Sequence, residues 1–184
     1  FYYIHKPNGS PDDGWRYQGS ESTGPLPASV NFALYPYQAP KTARAVLLGD
    51  PQPTSIEEVQ FFGRDVMSEL VGVQAHFGVS LGDVVGDRLD LFQPMNEMQA
   101  LAGIPWHNVL GNHDINYDAV DDRHANETFQ RFYGPSDYAF QYGQVHFLAM
   151  DNVVYHGREE SGYHGGLNDR QLNFIQNYLT TVPR

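Results

Sequence analysis

From Arg44 onward the apolar positions follow two alternating rhythms. Ala45-Val46-Leu47-Leu48 is a short continuous apolar run, the pattern of a strand buried on both faces. Ser55 and Glu58 then stand at the spacing of a capping box, in which each side chain satisfies an orphan helix amide. Ile56, Val59, Phe62, Val66 and Leu70 follow at helical spacing, and Gly72 closes the predicted helix. Phe77-Gly78-Val79-Ser80-Leu81 reads as a second strand, residues 94–102 as a shorter helix with Pro94 in its first turn, and Trp106-His107-Asn108-Val109-Leu110 as a third strand. Residues 127–133 read as a short helix ended by Gly134. Two strand-like runs, 138–142 and 145–150, flank Gly143-Gln144, which suits a type II′ hairpin turn. Asn168 with Gln171 predicts a second cap, opening a helix over 169–179 with Leu172, Ile175 and Leu179 on one face. Strand–helix–strand–helix–strand, then a hairpin, then a helix is the order of an α/β domain.

Residues 1–43 lack that rhythm. Phe1-Tyr2-Tyr3-Ile4-His5 and Val30-Asn31-Phe32-Ala33-Leu34-Tyr35 are aromatic and β-branched runs typical of strands, separated by turn-forming stretches such as Asn8-Gly9-Ser10-Pro11. They predict a short β-rich N-terminal segment, with Pro36 and Pro40 marking a linker into a second unit over 44–184.

Composition narrows the function classes. Of 184 residues 18% are charged, below the roughly 25% of an average domain, while 14% are aromatic, which excludes a disordered tail. No apolar run is long enough for a membrane span. Eleven basic against 22 acidic residues leave a net charge of −11, which would repel a phosphate backbone, so no nucleic-acid partner is expected. Cysteine is absent, so any metal must be held by oxygen and imidazole nitrogen. A chain that opens at Phe1 and closes on Thr180-Thr181-Val182-Pro183-Arg184 is expected to be a piece of a longer protein.

The chemistry-bearing residues lie where the three predicted parallel strands end: Gly49-Asp50-Pro51-Gln52, Gly82-Asp83-Val84-Val85-Gly86-Asp87 and Gly111-Asn112-His113-Asp114. Asp50 and Asp83 are 33 positions apart, Asp83 and Asn112 are 29 apart, and one strand–helix–strand unit takes about 30 residues. Such spacing returns the chain to the same sheet edge, where open α/β sheets bind their ligands. Asp50, Gln52, Asp83, Asn112 and His113 are therefore expected to converge. Carboxylates gathered there repel, with nothing basic in the loops to offset them, and a divalent cation resolves the conflict. Two cations sharing Asp83 resolve it better and suit an in-line displacement at phosphorus. Any one loop alone would read as a solvated turn; the three in order define a candidate site.

These motifs resemble those of the calcineurin-like metallophosphoesterase superfamily, in which Asp-x-His, a Gly-Asp loop and Gly-Asn-His-Asp/Glu precede two later histidine-bearing motifs. The resemblance covers about residues 44–182. It implies an α/β/β/α sandwich of mixed sheets flanked by helices, here its N-terminal part only. It also implies a dinuclear centre of Mn, Fe, Zn or Mg that hydrolyses phosphate mono- or diesters of a small molecule or a phosphorylated substrate. By that similarity Asp50 binds the first metal, Asp83 bridges, Asn112 binds the second, His113 protonates the leaving oxygen or stabilises the phosphoryl group, and Asp114 orients the His113 imidazole. Asp87 braces its loop.

This sequence departs from the pattern in two ways. Gln52 replaces the usual histidine, and its neutral hard oxygen favours manganese or magnesium over zinc. The later Gly-His and Gly-His-x-His motifs have no match, so those ligands are expected beyond Arg184, and the chain alone is expected to be weak or inactive. The alternative is a catalytically impaired α/β binding module that keeps the scaffold. A β-rich extension without cysteine resembles exported bacterial members, which implies a periplasmic or secreted protein. His76 and His107 read as structural, His164 as part of a plain loop, and Asp121-Asp122-Arg123 as a solvated turn.

Overall fold

The computed structural model describes residues 4–12, 14, 16–33, 36–38 and 40–183. It is a mixed α/β fold with several small sheets, one of them parallel. Strands β1 (Ala45–Leu48), β2 (Phe77–Ser80) and β3 (Trp106–Asn108) form the parallel sheet in the order β1-β2-β3, with Ala45 opposite Phe77 and Gly78 opposite Trp106. Their C-terminal ends therefore share one edge. β2 is central and buried along its whole length. Its Gly78 lies under the Trp106 ring, which an added Cβ would meet at 2.2 Å. β1 departs from the expectation of burial on both faces: it is an edge strand, and Leu47 is 60% exposed.

The crossover from β1 to β2 is less regular than its periodicity predicts. Helix α1 (Ile56–Phe61) starts at Ser55, whose hydroxyl accepts from the Glu58 N–H. The Glu58 carboxylate bonds the N–H and hydroxyl of Thr54 at 2.6 and 2.9 Å. The chain then widens into a π turn over Phe62–Val66 and tightens into a 3₁₀ turn over Met67–Leu70. Gly63 packs against Met98, whose sulfur would lie 2.3 Å from an added Cβ, so this close approach is met by the helix axis shifting. The buried stripe is Val59, Gly63 and Met67; Ile56 and Val66, expected to face inward, are exposed.

Helix α2 (Phe92–Gln99), which leads into β3, carries Phe92 and Met95 into the core, and Pro94 sits in its first turn. Phe92 packs edge-on against Phe129 and Tyr133 of α4 (Glu127–Tyr133), with Val84, Val85, Leu110 and Ile115 in the same cluster. Burying a side chain of this size is worth about 1.5–3 kcal/mol. The loops after β2 and β3 are thus anchored in the core through their apolar members.

The hairpin of β4 (Tyr138–Tyr142) and β5 (Val145–Ala149) turns at Gly143, whose φ of 61° suits the first position of a type II′ turn. A second hairpin pairs β6 (Val153–Tyr155) with β7 (Tyr163–Gly165), so His164 is in a strand and not in a plain loop. Asp121-Asp122-Arg123 is likewise more than a solvated turn. Asp121 caps α3 (Asp122–Ala125), and Asp122 accepts the Tyr155 N–H at 2.7 Å. The last helix, α5 (Asp169–Thr181), opens on a complete capping box between Asn168 and Gln171. Its inward positions are Gln171, Phe174, Ile175 and Tyr178, while Leu172 and Leu179 are exposed, contrary to the predicted face.

Among the described residues before Ala45 there is no strand, which corrects the expectation of a β-rich segment at Ile4, His5 and residues 30–33; residues 1–3, 34 and 35 lie outside the described ones. Backbone bonds from Ser10 N–H to the Ser20 carbonyl and from Thr23 N–H to the Lys6 carbonyl, both 2.8 Å, do not extend into a ladder, and side chains fasten the segment to α4. Lys6, Ser10, Tyr17 and Ser20 all bond the buried Glu127 carboxylate, and Arg131 reaches the Gly19 carbonyl. Among the described residues no helix is long and apolar enough to cross a membrane.

Candidate metal centre

The loops after β1, β2 and β3 are stitched together by their backbones. Gln52 N–H donates to the Asp83 carbonyl at 3.0 Å and Gly86 N–H to the Pro53 carbonyl at 2.9 Å, joining the first loop to the second. Asp87 N–H donates to the His113 carbonyl at 3.2 Å, joining the second to the third. Gly86 and Gly111 allow this closeness. A Cβ on Gly86 would meet a Thr54 methyl at 2.7 Å, and one on Gly111 would stand 2.1 Å from Asp83 Oδ1.

Asp83 is at the centre of the junction. Its Oδ1 accepts the His113 backbone N–H at 3.0 Å and its Oδ2 accepts the Gln52 Nε2–H at 2.7 Å. One carboxylate from β2 thereby touches the loops of both neighbouring strands. Asn112 directs its side chain to the Tyr117 hydroxyl. Asp50 is exposed at the end of β1, two residues before Gln52. The structure thus brings Gln52, Asp83 and the His113 backbone together, and Asp50 precedes Gln52 by two residues on the first loop.

The backbone is strained here. Non-glycine residues with left-handed φ are rare, and each costs of order 1–3 kcal/mol unless its surroundings enforce it. Among the described residues five adopt it, and four are Asp50 (46°), Gln52 (43°), Asp83 (47°) and Asp87 (61°). Three of these are predicted metal ligands.

The role expected of Asp114 is corrected. Its carboxylate is fully buried and does not touch the His113 ring; it accepts the backbone N–H groups of Gly111 (2.9 Å), Val84 (3.1 Å) and Val85 (3.0 Å). It is the internal brace of loops two and three. Burial pushes its pKa up to about 7 against those three donors, which favour the anion. The group on the imidazole is Asp87, whose Oδ1 lies 2.8 Å from His113 Nδ1. Burial pulls the His113 pKa down, but the hydrogen bond and charge of Asp87, with Asp83 and Asp114 behind it, outweigh burial and hold it above the usual histidine value.

Tyr117 is a member of the site that motif reading missed, because a tyrosine five positions past Asn112 carries no spacing signal. Its side chain is 37% exposed, contacts Asn112 and lies in the field of Asp87 and Asp83, with burial and those charges raising its pKa. Its ring stands edge-on to Tyr155, whose hydroxyl bonds the Tyr117 carbonyl.

Among the described residues no group of three or more His, Cys, Asp and Glu side chains gathers around one point. A cation here would draw on Asp50 and Asp83 together with the amide oxygens of Gln52 and Asn112. That all-oxygen set fits a hard divalent ion. The Gln52–Asp83 hydrogen bond is the contact such an ion would replace, with the amide turned to present its oxygen. A cavity of about 890 Å³ lies elsewhere, between the N-terminal segment and the α3, β6 and α5 region, where Lys6, Glu127, Asp151 and Arg170 line it. It holds none of the candidate ligands. No protein-family model matches the chain, and no curated protein matches it.

Proposed function

We propose that the chain carries the cation-binding loops of a metal-dependent phosphoesterase of the calcineurin-like kind, hydrolysing phosphate mono- or diesters. The observation that carries this reading is the left-handed backbone of Asp50, Gln52 and Asp83 at the ends of neighbouring parallel strands, held there by direct loop-to-loop hydrogen bonds. The resemblance of the three motifs supplies the reaction class and the sandwich fold.

In this reading Asp50, Gln52, Asp83 and Asn112 hold two divalent cations, manganese favoured by the oxygen donors. The cations would supply the Lewis acidity that activates water and offsets phosphoryl charge. Asp83, between the two neighbouring loops, is the shared ligand. His113, whose protonated form Asp87 favours, donates to the leaving oxygen or to a phosphoryl oxygen. Asp114 fixes the β2 and β3 loops so that Asp83 and His113 keep their spacing. Tyr117 borders the substrate on the side of Asn112.

A second reading, a catalytically impaired binding module, is favoured by one contact: the Gln52 amide already satisfies Asp83 Oδ2. Assays with added Mn²⁺ on an aryl phosphate and a bis-aryl phosphate, run on the full-length protein in which the later histidine ligands are expected, separate the two. The phosphoesterase reading expects metal-dependent turnover that Asp83→Asn lowers by more than the ~10–100-fold that outer hydrogen-bond partners of a metal are worth. Mn²⁺ binding without turnover supports the binding module. Turnover unchanged in Asp83→Asn contradicts the mechanism.

A further inference from the structure

The β6–β7 hairpin carries two histidines that the candidate centre does not use. Val154 pairs with His164, Tyr155 with Tyr163, and His156 N–H bonds the Gly162 carbonyl at 3.0 Å, so the ladder continues one residue past β6. His156 is two residues beyond Val154 and therefore on the same face as His164, at the diagonal cross-strand position that long side chains can span. Both are exposed, and His156 Nε2 stands 2.8 Å from His164 Nδ1 with the ring centroids 5.1 Å apart. Tyr155 occupies the opposite face, which is turned toward Tyr117 and the three loops. The pair thus belongs to a separate surface.

We propose that His156 and His164 chelate a single borderline divalent cation, of the copper(II), nickel(II) or zinc(II) type, across the two strands. Two facing imidazole nitrogens share one proton, and a cation can take its place without charging either ring. The donor's proton moves to its outer nitrogen, and both rings stay neutral. Two nitrogens each ~2.0–2.1 Å from one ion stand roughly 2.9 Å apart at a right angle and roughly 3.3–3.4 Å apart at a tetrahedral angle. The observed 2.8 Å matches the right-angled, tetragonal arrangement that copper and nickel prefer. Rotation of the exposed rings about their own side-chain bonds brings both lone pairs to a common point, and water completes the coordination. Imidazole selects these ions over magnesium and calcium. The carboxylates of Glu159 and Glu160 in the connecting loop add negative charge to the hairpin.

The site has a structural consequence. Gly157 packs against the Val120 carbonyl, and Arg158 N–H donates to the Ala119 carbonyl at 3.1 Å. The loop closed by the histidine pair is therefore seated on the segment that follows Tyr117. An ion clamping the hairpin would hold that segment, and the Tyr155 hydroxyl on the Tyr117 carbonyl, in place.

The test uses the untagged chain bearing Asp83→Asn, so that the candidate centre does not contribute. Copper(II) chloride is added at one equivalent and read by electron paramagnetic resonance. The expected spectrum shows one tetragonal copper with splitting from two imidazole nitrogens, lost in His164→Gln and in His156→Gln and unaffected by excess Mg²⁺. In copper-free samples Zn²⁺ is expected to shift amide resonances of 153–166 selectively in the histidine-intact chain, and the dispersed amide spectra of the variants verify that they are folded. A two-nitrogen spectrum that survives both substitutions, or its absence from the histidine-intact chain, overturns the proposal. Because Asp83→Asn is the background throughout, neither result bears on the phosphoesterase reading.

Discussion

The His113 pKa is raised because of where Asp87 sits. Burial of the ring acts against protonation, and the 2.8 Å contact with Asp87 reverses the balance. Asp87→Asn removes the charge and keeps the size, so the His113 pKa is expected to fall, as read from the shift of its ring protons with pH. A value unchanged or higher in the variant would show that Asp87 is not the controlling group. Asp151 behaves oppositely. Burial first, then the charges of Asp137 and Asp122, raise its pKa from 3.8 to about 6, against hydrogen bonds from Asn126 and Val153. Between these values the folded chain holds a proton that the unfolded chain releases. The group's contribution to stability is therefore full below 3.8 and lost as the pH rises through about 6. Denaturant midpoints measured across that window are expected to fall more steeply with pH in the parent than in Asp151→Asn; parallel curves would contradict the assignment. At this scale the sequence offered candidate cation ligands but not the neighbours they touch. Asp114 follows His113 directly and reads as its partner, yet the turn sends its carboxylate into the core and leaves the ring to Asp87, 26 positions earlier. Adjacency in sequence does not fix side-chain direction in a tight turn.

Strand ends carry the candidate ligands, and the strain there has a measurable cost. Asp50 adopts a φ of 46°, a conformation glycine enters freely. Asp50→Gly is expected to keep or raise the thermal midpoint, by up to the ~1 kcal/mol scale of relieved backbone strain, while Mn²⁺ affinity falls. A clear drop in stability with unchanged affinity would mean that Asp50 serves the fold and not the site. Elements set by local chemistry were readable in advance: the Asn168–Gln171 box, the Gly143 turn and the α4 stop at Gly134 all depend on contacts within a few residues. Elements set by distant packing were not. The crossover after β1 reads as one helix, but Gly63 meets Met98 from α2, a contact 35 positions away, and the helix gives way there. The exposed side of β1 follows from its edge position in the sheet, which a run of apolar letters does not reveal.

Across the whole molecule, one buried carboxylate ties the N-terminal segment to the α/β unit. Glu127 is 2% exposed and receives Lys6, Ser10, Tyr17 and Ser20, bonds that outweigh burial and lower its pKa. The same segment reaches the candidate centre's flank, where Arg16 N–H donates to Asp118 beside Tyr117 at 3.0 Å. Removing one member of a buried charge pair costs about 3–5 kcal/mol, so Glu127→Ala is expected to lower stability by that order and to open residues 4–33 to protease. An unchanged cleavage pattern would show that the segment is held by other contacts. The central claim concerns the three loops, and paramagnetic Mn²⁺ tests it most directly through the side-chain amides of Gln52 and Asn112. Addition of substoichiometric Mn²⁺ is expected to broaden those two amide signals first in the parent chain and to leave them sharp in Asp83→Asn. Broadening centred elsewhere, or sharp Gln52 and Asn112 amides at saturating Mn²⁺ in the parent chain, would contradict the claim that these loops seat a cation.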